Sequence, residues 1–267
     1  MPLDRPVLAA ALATAFPDSG ADALQVHEML GSTSDEAAAL ARAGAPEGTT
    51  VFAESQSAGR GRRGAPWVST PRANLLFSVV LRPAFGPHLW PRLTQLAGLA
   101  LADAIEQHTG LVAALKWPND IHFANRKVAG ILLDAHPSTT SPGYAVAGIG
   151  LNVNMARSEF PPELQDTATS LALETGCPLD RSGLAAAALL ALGARFRSAS
   201  DPVAWSVTLR ELIRRSMLYR RVISAELPDG RRICGLVTGL GPQGELLMTD
   251  PSGGCHSLAS AHQIRLE

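Results

Sequence analysis

Lysine is almost missing from this sequence of 267 residues. Of its 23 Lys and Arg residues only Lys116 and Lys127 are lysine, and the rest of that count is arginine. Aromatic residues make up 5%, cysteines number three, and 23 basic residues nearly balance 24 acidic ones for a net charge of −1. Near-neutrality removes any global field that would draw the chain onto nucleic acid or an anionic membrane, so no DNA partner and no membrane partner are expected. Cys177, Cys234 and Cys255 are odd in number and fit no metal-ligand spacing; they read as buried or free thiols of a reducing compartment, and a cytoplasmic protein is expected. No apolar run is long. The stretch from Leu184 to Ala194 is about half of a membrane-spanning helix and reads as a core helix. Val7 to Phe16 resembles the apolar part of a signal peptide, but Asp4 weakens the basic flank such a peptide needs, and the segment reads equally as an Ala-rich amphipathic helix. With 46% hydrophobic residues the chain can bury a sizeable core, which excludes disorder and suits one large domain or one large plus one small.

The two lysines fall within one twelve-residue window. Compositional bias is the plain explanation. The functional one is that a compact ammonium approaches a phosphoryl or carboxylate oxygen as a point charge, which a guanidinium fork does not reproduce.

The pattern of apolar residues predicts a helix over 3–16 and a second over Asp35 to Ala43, with Thr33 as its cap, Glu36 reaching back in a capping box, and Gly44 as its stop. Strands are predicted over Thr49 to Glu54 and Asn74 to Leu81, and a helix from Trp90 to His108 ending at Gly110. Leu111 to Trp117, a Pro118-Asn119-Asp120 turn, Ile121 to Phe123 and Val128 to Asp134 read as a hairpin-like run, followed by a strand from Tyr144 to Val153. Leu184 to Phe196 is helical, and Asp201-Pro202 opens a helix running to Met217. From Tyr219 onward strand-like pieces at 221–227, 232–238, 245–249 and 256–258 alternate with Gly/Pro turns, as in a small all-β barrel. The expected fold is α/β, a mixed sheet packed by helices over 1–218, with the small β domain over 219–267.

Four short motifs carry chemistry. Gly59-Arg60-Gly61-Arg62-Arg63-Gly64 formally matches a dinucleotide fingerprint, but Pro66 and Pro71 follow where that fold needs a helix. What remains is a flexible basic loop suited to closing over an anion, or an Arg-rich contact to RNA. Lys116-Trp117-Pro118-Asn119-Asp120 with Arg126-Lys127-Val128-Ala129-Gly130 places two ammonium groups, a carboxylate and a carboxamide near one sheet edge, where a metal-bound polyphosphate could be handled and Asp120 could hold Mg2+. Gly148 to Asn154 is a strand with glycines where a ligand, or simply a crossing strand, comes close. Gly31-Ser32-Thr33-Ser34 offers hydroxyls and free N–H groups at a helix start, or plain capping.

In this order and at these separations the motifs, with Glu54-Ser55-Gln56-Ser57-Ala58, Trp67 and Thr169-Ser170-Leu171, resemble the biotin protein ligase family from about Gly31 to Leu171. The resemblance implies a catalytic domain like that of the lipoate ligases and class II synthetases, and an SH3-like C-terminal barrel. It implies that Ser32, Thr33, Ser34, Gln56, Gly59, Arg60, Gly61, Arg62, Lys127 and Gly130 bind biotin. Arg62, Arg63, Trp67, Lys116, Asn119, Asp120 and Asn152 would bind ATP. Lys127, Arg60 and Arg62 would be catalytic, and Asp120 would be the Mg2+ ligand. Ser34 departs from the asparagine common in relatives. The implied activity is ATP-dependent formation of biotinyl-AMP and transfer of biotin to a lysine of a biotin carboxyl carrier protein, such as the acetyl-CoA carboxylase subunit. Only 30 residues precede Gly31, against roughly 55 for an independent DNA-reading fold, so the ligase-only form is expected. The alternatives are a lipoate or octanoate ligase and, in another class, an Arg-loop RNA-binding module. Monomer or homodimer stays open.

Overall fold

The computed structural model describes residues 1–138 and 143–267. Helix α1 (Arg5–Ala15) starts at Asp4, whose carboxylate accepts the Val7 N–H. Strand β1 (Leu24–His27), helix α2 (Thr33–Arg42), and strands β2 (Thr50–Ala53) and β3 (Asn74–Leu81) follow. Helix α3 (Pro91–Thr109) has proline in its first turn, where a missing N–H costs nothing, and stops at Gly110 in the left-handed conformation at φ 71°. Strands β4 (Ala114–Lys116), β5 (Asp120–Phe123), β6 (Arg126–His136) and β7 (Tyr144–Asn152) lead to helices α4 (Leu171–Thr175), α5 (Arg181–Arg197) and α6 (Pro202–Arg215). Asp180 and Asp201 cap α5 and α6 through their carboxylates.

The seven strands form one mixed sheet in the order β1-β2-β3-β7-β6-β5-β4, parallel only between β1 and β2. Alternation along β3 decides what each face does. Leu75, Phe77, Val79 and Leu81 join the main core with side chains of α1, α3 and α5, and the Phe52 and Phe77 rings stack there at 4.9 Å. On the opposite face, Val51, Val80 and Val146 pack under Ala37, Ala38 and Ala41 of α2. Because α2 covers only part of that face, the sheet around Ser78, Gly148 and Gly150 is left for the cleft described below.

A second sheet, β11-β10-β9-β8-β12, is antiparallel throughout and comprises β8 (Val222–Glu226), β9 (Arg232–Leu240), β10 (Leu246–Thr249), β11 (Cys255–Leu258) and β12 (Gln263–Leu266). Its small core contains Leu218, Ile223, Val237, Leu246, Leu258 and Ala261, and it also takes in Trp117 from the larger part. The β9–β10 turn is gripped by four side chains. Arg92 Nη2 and Trp205 Nε1 each donate to Pro242 O at 2.8 Å, Trp117 Nε1 donates to Gly244 O at 2.9 Å, and Gln95 Nε2 donates to the same Gly244 carbonyl.

Several expectations need correction. Helix α2 begins at Thr33 with Ser32 as its cap, and no capping box forms because the Thr33 hydroxyl is engaged elsewhere. Strand β4 is confined to 114–116, where it pairs with the short β5 and makes one further bridge, from Leu115 to Ser216. Strands β1 and β12 and helix α4 have no counterpart among the predicted elements. The cysteines are free, one of the two states expected of them, and all three are exposed.

Candidate active site

A cleft of about 270 Å3 opens where α2 leaves the sheet uncovered. Its inner end is a hydroxyl network. Thr33 Oγ1 lies 2.8 Å from Ser78 Oγ, Ser34 Oγ lies 3.1 Å from the same atom, and Gln56 Oε1 accepts the Thr33 N–H at 2.7 Å. The start of α2, with the positive end of its dipole, thus faces the cleft beside three buried hydroxyls. Ser78, absent from the sequence-based set, had one signal available: a hydroxyl in an otherwise apolar strand.

Glycines make the floor. A Cβ on Gly150 would stand 2.5 Å from Trp67 Cε2, and one on Gly148 would stand 2.4 Å from Ser34 Oγ. Gly130 lies opposite Gly150 on the neighbouring strand and would bring a Cβ within 3.1 Å of both Trp67 and Lys127 Nζ. The close approach expected at these glycines is therefore filled by the protein itself, by the indole at Gly150 and by the Ser34 hydroxyl at Gly148. Trp67 Nε1 is buried without a hydrogen-bond partner among the described residues.

The Gly/Arg segment is a small hairpin: Gly61 N donates to Ala65 O at 2.7 Å and Trp67 N to Gly59 O at 2.9 Å. Gly59 itself does not line the cleft; a side chain there would press within 2.9 Å of Trp67 O. Arg60 bridges Asp35 at 2.5 Å and Asp134 at 3.1 Å. Arg62 reaches Asn119 Oδ1 at 3.3 Å; burial, then repulsion from Arg63, lowers its pKa, with Asp120 opposing. Arg63 donates to Ala261 O at 3.1 Å.

On the facing strands Lys127 Nζ pairs with Asp120 Oδ1 at 2.7 Å and lies 5.5 Å from the Trp67 ring centroid, within cation–π range. Asp120 is the one carboxylate among the described lining residues. His122, two residues on, is buried, which pushes its pKa down to about 4; Asp120 opposes the shift and Lys116 and Lys127 add to it.

The cleft therefore gathers Ser32, Thr33, Ser34, Gln56, Arg60, Gly61, Arg62, Arg63, Trp67, Asn119, Asp120, Lys127 and Gly130. Lys116 and Asn152 stay outside its lining. Lys116 lies opposite Asp120 on the edge strand β4, and Asn152 is buried with its Nδ2 donating to Thr169 O at 3.1 Å. His262, just before β12, lines the cleft with no sequence signal to announce it.

Among the described residues no helix is long and apolar enough to cross a membrane. The cleft thus sets a hydroxyl pocket, a cationic hairpin and a lysine–aspartate pair around one space. Residues 28–153 match the model of the Biotin/lipoate A/B protein ligase family. The chain is 35% identical over 239 residues to the biotin--[acetyl-CoA-carboxylase] ligase of Mycobacterium tuberculosis, covering 86% of this chain and 84% of that one. It is 40% identical over 171 residues to the bifunctional ligase/repressor BirA of Bacillus subtilis, covering 64% of this chain and 53% of BirA, so it matches about half the length of that relative. A biotin protein ligase from Aquifex aeolicus, solved in complex with biotin and ATP, superimposes with a TM-score of 0.77 at 27% identity, covering 91% of this chain and 97% of that one. The chain belongs to the Biotin/lipoate A/B protein ligase family, among its biotin protein ligases.

Proposed function

We propose that this chain activates biotin with ATP and transfers it to a lysine of a biotin carboxyl carrier protein, in the cytoplasm. The observation that carries the reading is the Lys127–Asp120 pair in the same cleft as the Ser/Thr/Gln56 network. It is supported by the similarity to the M. tuberculosis ligase along most of both chains.

A carboxylate is a poor acyl donor. In the first step a biotin carboxylate oxygen attacks the α-phosphorus of ATP, a P–O bond forms, the bond to the bridging oxygen breaks, and pyrophosphate leaves. Two anions must meet, and Lys127 with Arg62 lowers that repulsion from fixed positions that need no reorganisation. Ser32, Thr33, Ser34 and Gln56 hold the polar head of biotin, with Arg60 at the rim between Asp35 and Asp134. Trp67 offers its buried Nε1–H and its ring to the nucleotide, beside Asn119. In the second step the acceptor lysine, deprotonated, attacks the carbonyl carbon; a C–N bond forms, the C–O bond to AMP breaks, and the amine releases its proton.

Mg2+ fits the donor set in a limited way. The cleft offers one carboxylate, Asp120, and Mg2+ is commonly held by one or two carboxylates plus substrate phosphates and waters. When bound, it would supply charge neutralisation on the phosphates. We further assign 1–218 to catalysis and 219–267 to an SH3-like domain.

ATP–pyrophosphate exchange tests the proposal. Exchange is expected with biotin and Mg2+ and not with lipoate. Equal exchange with lipoate would move the chain to the lipoate-using side of the family, and no exchange with either would overturn adenylate chemistry.

A further inference from the structure

One residue of the C-terminal part reaches the cleft. His262, in the segment between β11 and β12, lines it, and Ala261 beside it is buried in the small core, which fixes the carbonyl that accepts Arg63 Nη2 at 3.1 Å. Arg63 has φ 59°, a left-handed backbone that a non-glycine residue holds only when its surroundings enforce it. At that turn two consecutive arginines take different partners: Arg62 reaches Asn119 and Arg63 reaches Ala261. Both partners trace back to one place. Asn119 follows Trp117-Pro118, and Trp117 packs in the same small core that buries Ala261. The four-sided grip on Pro242 and Gly244 ties that core to α3 and α6.

We infer that Arg63 is a positioning residue, a latch that fastens the 59–67 hairpin to the second sheet, and that this sheet thereby sets how long an acyl adenylate is retained. The inference rests on the proposed function for its consequence but not for the latch itself. A mixed anhydride hydrolyses in water, so the hairpin must stay over the cleft until an acceptor arrives. Arg62 provides the inner contact. Arg63 spends its guanidinium on a fixed carbonyl outside the reacting centre.

Two measurements on the full chain test this, with Arg63→Gln and Arg63→Lys. Without ligands, amide hydrogen exchange at 60–66 is expected to quicken about three- to tenfold in Arg63→Gln, the range for losing one hydrogen bond of modest net strength, with 222–266 unchanged. Unchanged exchange at 60–66 overturns the latch. In single turnovers with biotin and ATP, the ratio of adenylate release rate to formation rate is expected to rise about fivefold in Arg63→Gln, with Arg63→Lys between it and wild type. A fall in formation with that ratio unchanged overturns the inference and makes Arg63 an ATP contact. Absence of adenylate in the wild type would instead defeat the ligase reading, and hydrogen exchange would still decide the latch.

Discussion

Lys127 Nζ stands 2.7 Å from Asp120 Oδ1 across the β5–β6 pair, in a space so close that a methyl on Gly130 would come within 3.1 Å of it. One of only two lysines in the chain thus sits beside the cleft's carboxylate, where a compact point charge and a guanidinium fork are not interchangeable. Lys127→Arg is therefore expected to be nearly as damaging as Lys127→Ala, each lowering single-turnover adenylate formation by about a hundredfold, the scale for losing one preorganised charge. Wild-type-like rates in the arginine variant would make the scarcity of lysine a matter of composition.

The glycine floor makes a separate prediction. Gly150→Ala puts a Cβ 2.5 Å from Trp67 Cε2, so the indole must leave its seat. Overpacking of this kind costs about 1–3 kcal/mol, and the displaced ring is expected to raise the KM for ATP about tenfold. Gly98→Ala on α3 is the contrast, since its Cβ meets nothing nearer than Leu115 Cδ2 at 3.8 Å; it is expected to stabilise by about 0.5–1 kcal/mol. Urea unfolding and steady-state kinetics of both variants check this, and equal behaviour would show that the floor is not tight.

Local signals were legible where one segment decides its own structure. Strand β3 has the expected bounds because all eight of its residues are buried, and α3 and α6 follow their proline and glycine punctuation. The start of α2 was misread because Thr33 spends its hydroxyl on Ser78, 45 residues away, in place of capping. The same reason hides His262: its place in the cleft comes from the pairing of β12 with β8 and the seating of the small sheet, and neither leaves a mark at position 262. Lys116 and Asn152 belong to recognisable motifs, but strand geometry sets them beside the cleft rather than in its lining.

Arg181 should matter more for stability than for chemistry. Its Nη1 donates to Glu54 Oε2 at 2.7 Å and to Asn74 O at 2.9 Å, while Glu54 Oε1 accepts the Leu3 N–H at 2.7 Å. Both charged side chains are at most 4% exposed. Removing one partner strands the other in the interior, so Arg181→Ala is expected to cost about 3–5 kcal/mol. Replacing both, as Arg181→Met with Glu54→Leu, should recover part of that, although Leu3 N–H then loses its acceptor. The check is the urea midpoint of the single and double variants. A loss under about 1 kcal/mol in Arg181→Ala would mean that water reaches Glu54.

Arg62 is expected to govern retention of the intermediate more than its formation. Its guanidinium is half-buried at the mouth of the cleft and donates to Asn119 Oδ1 at 3.3 Å. The contact with Asn119 is long, and a phosphate or carboxylate beneath the guanidinium would give it a stronger, bidentate partner. Losing such a charge-assisted contact costs about 1.5–3 kcal/mol, or roughly ten- to hundredfold faster escape if it forms only in the closed state. Arg62→Gly should therefore still make biotinyl adenylate but release it, so that lysines of bystander proteins become biotinylated without being recognised. Rapid filtration after a single turnover measures the bound and free pools. If synthesis falls in proportion to retention, Arg62 acts at the reacting centre; if neither changes, its charge is merely solvated.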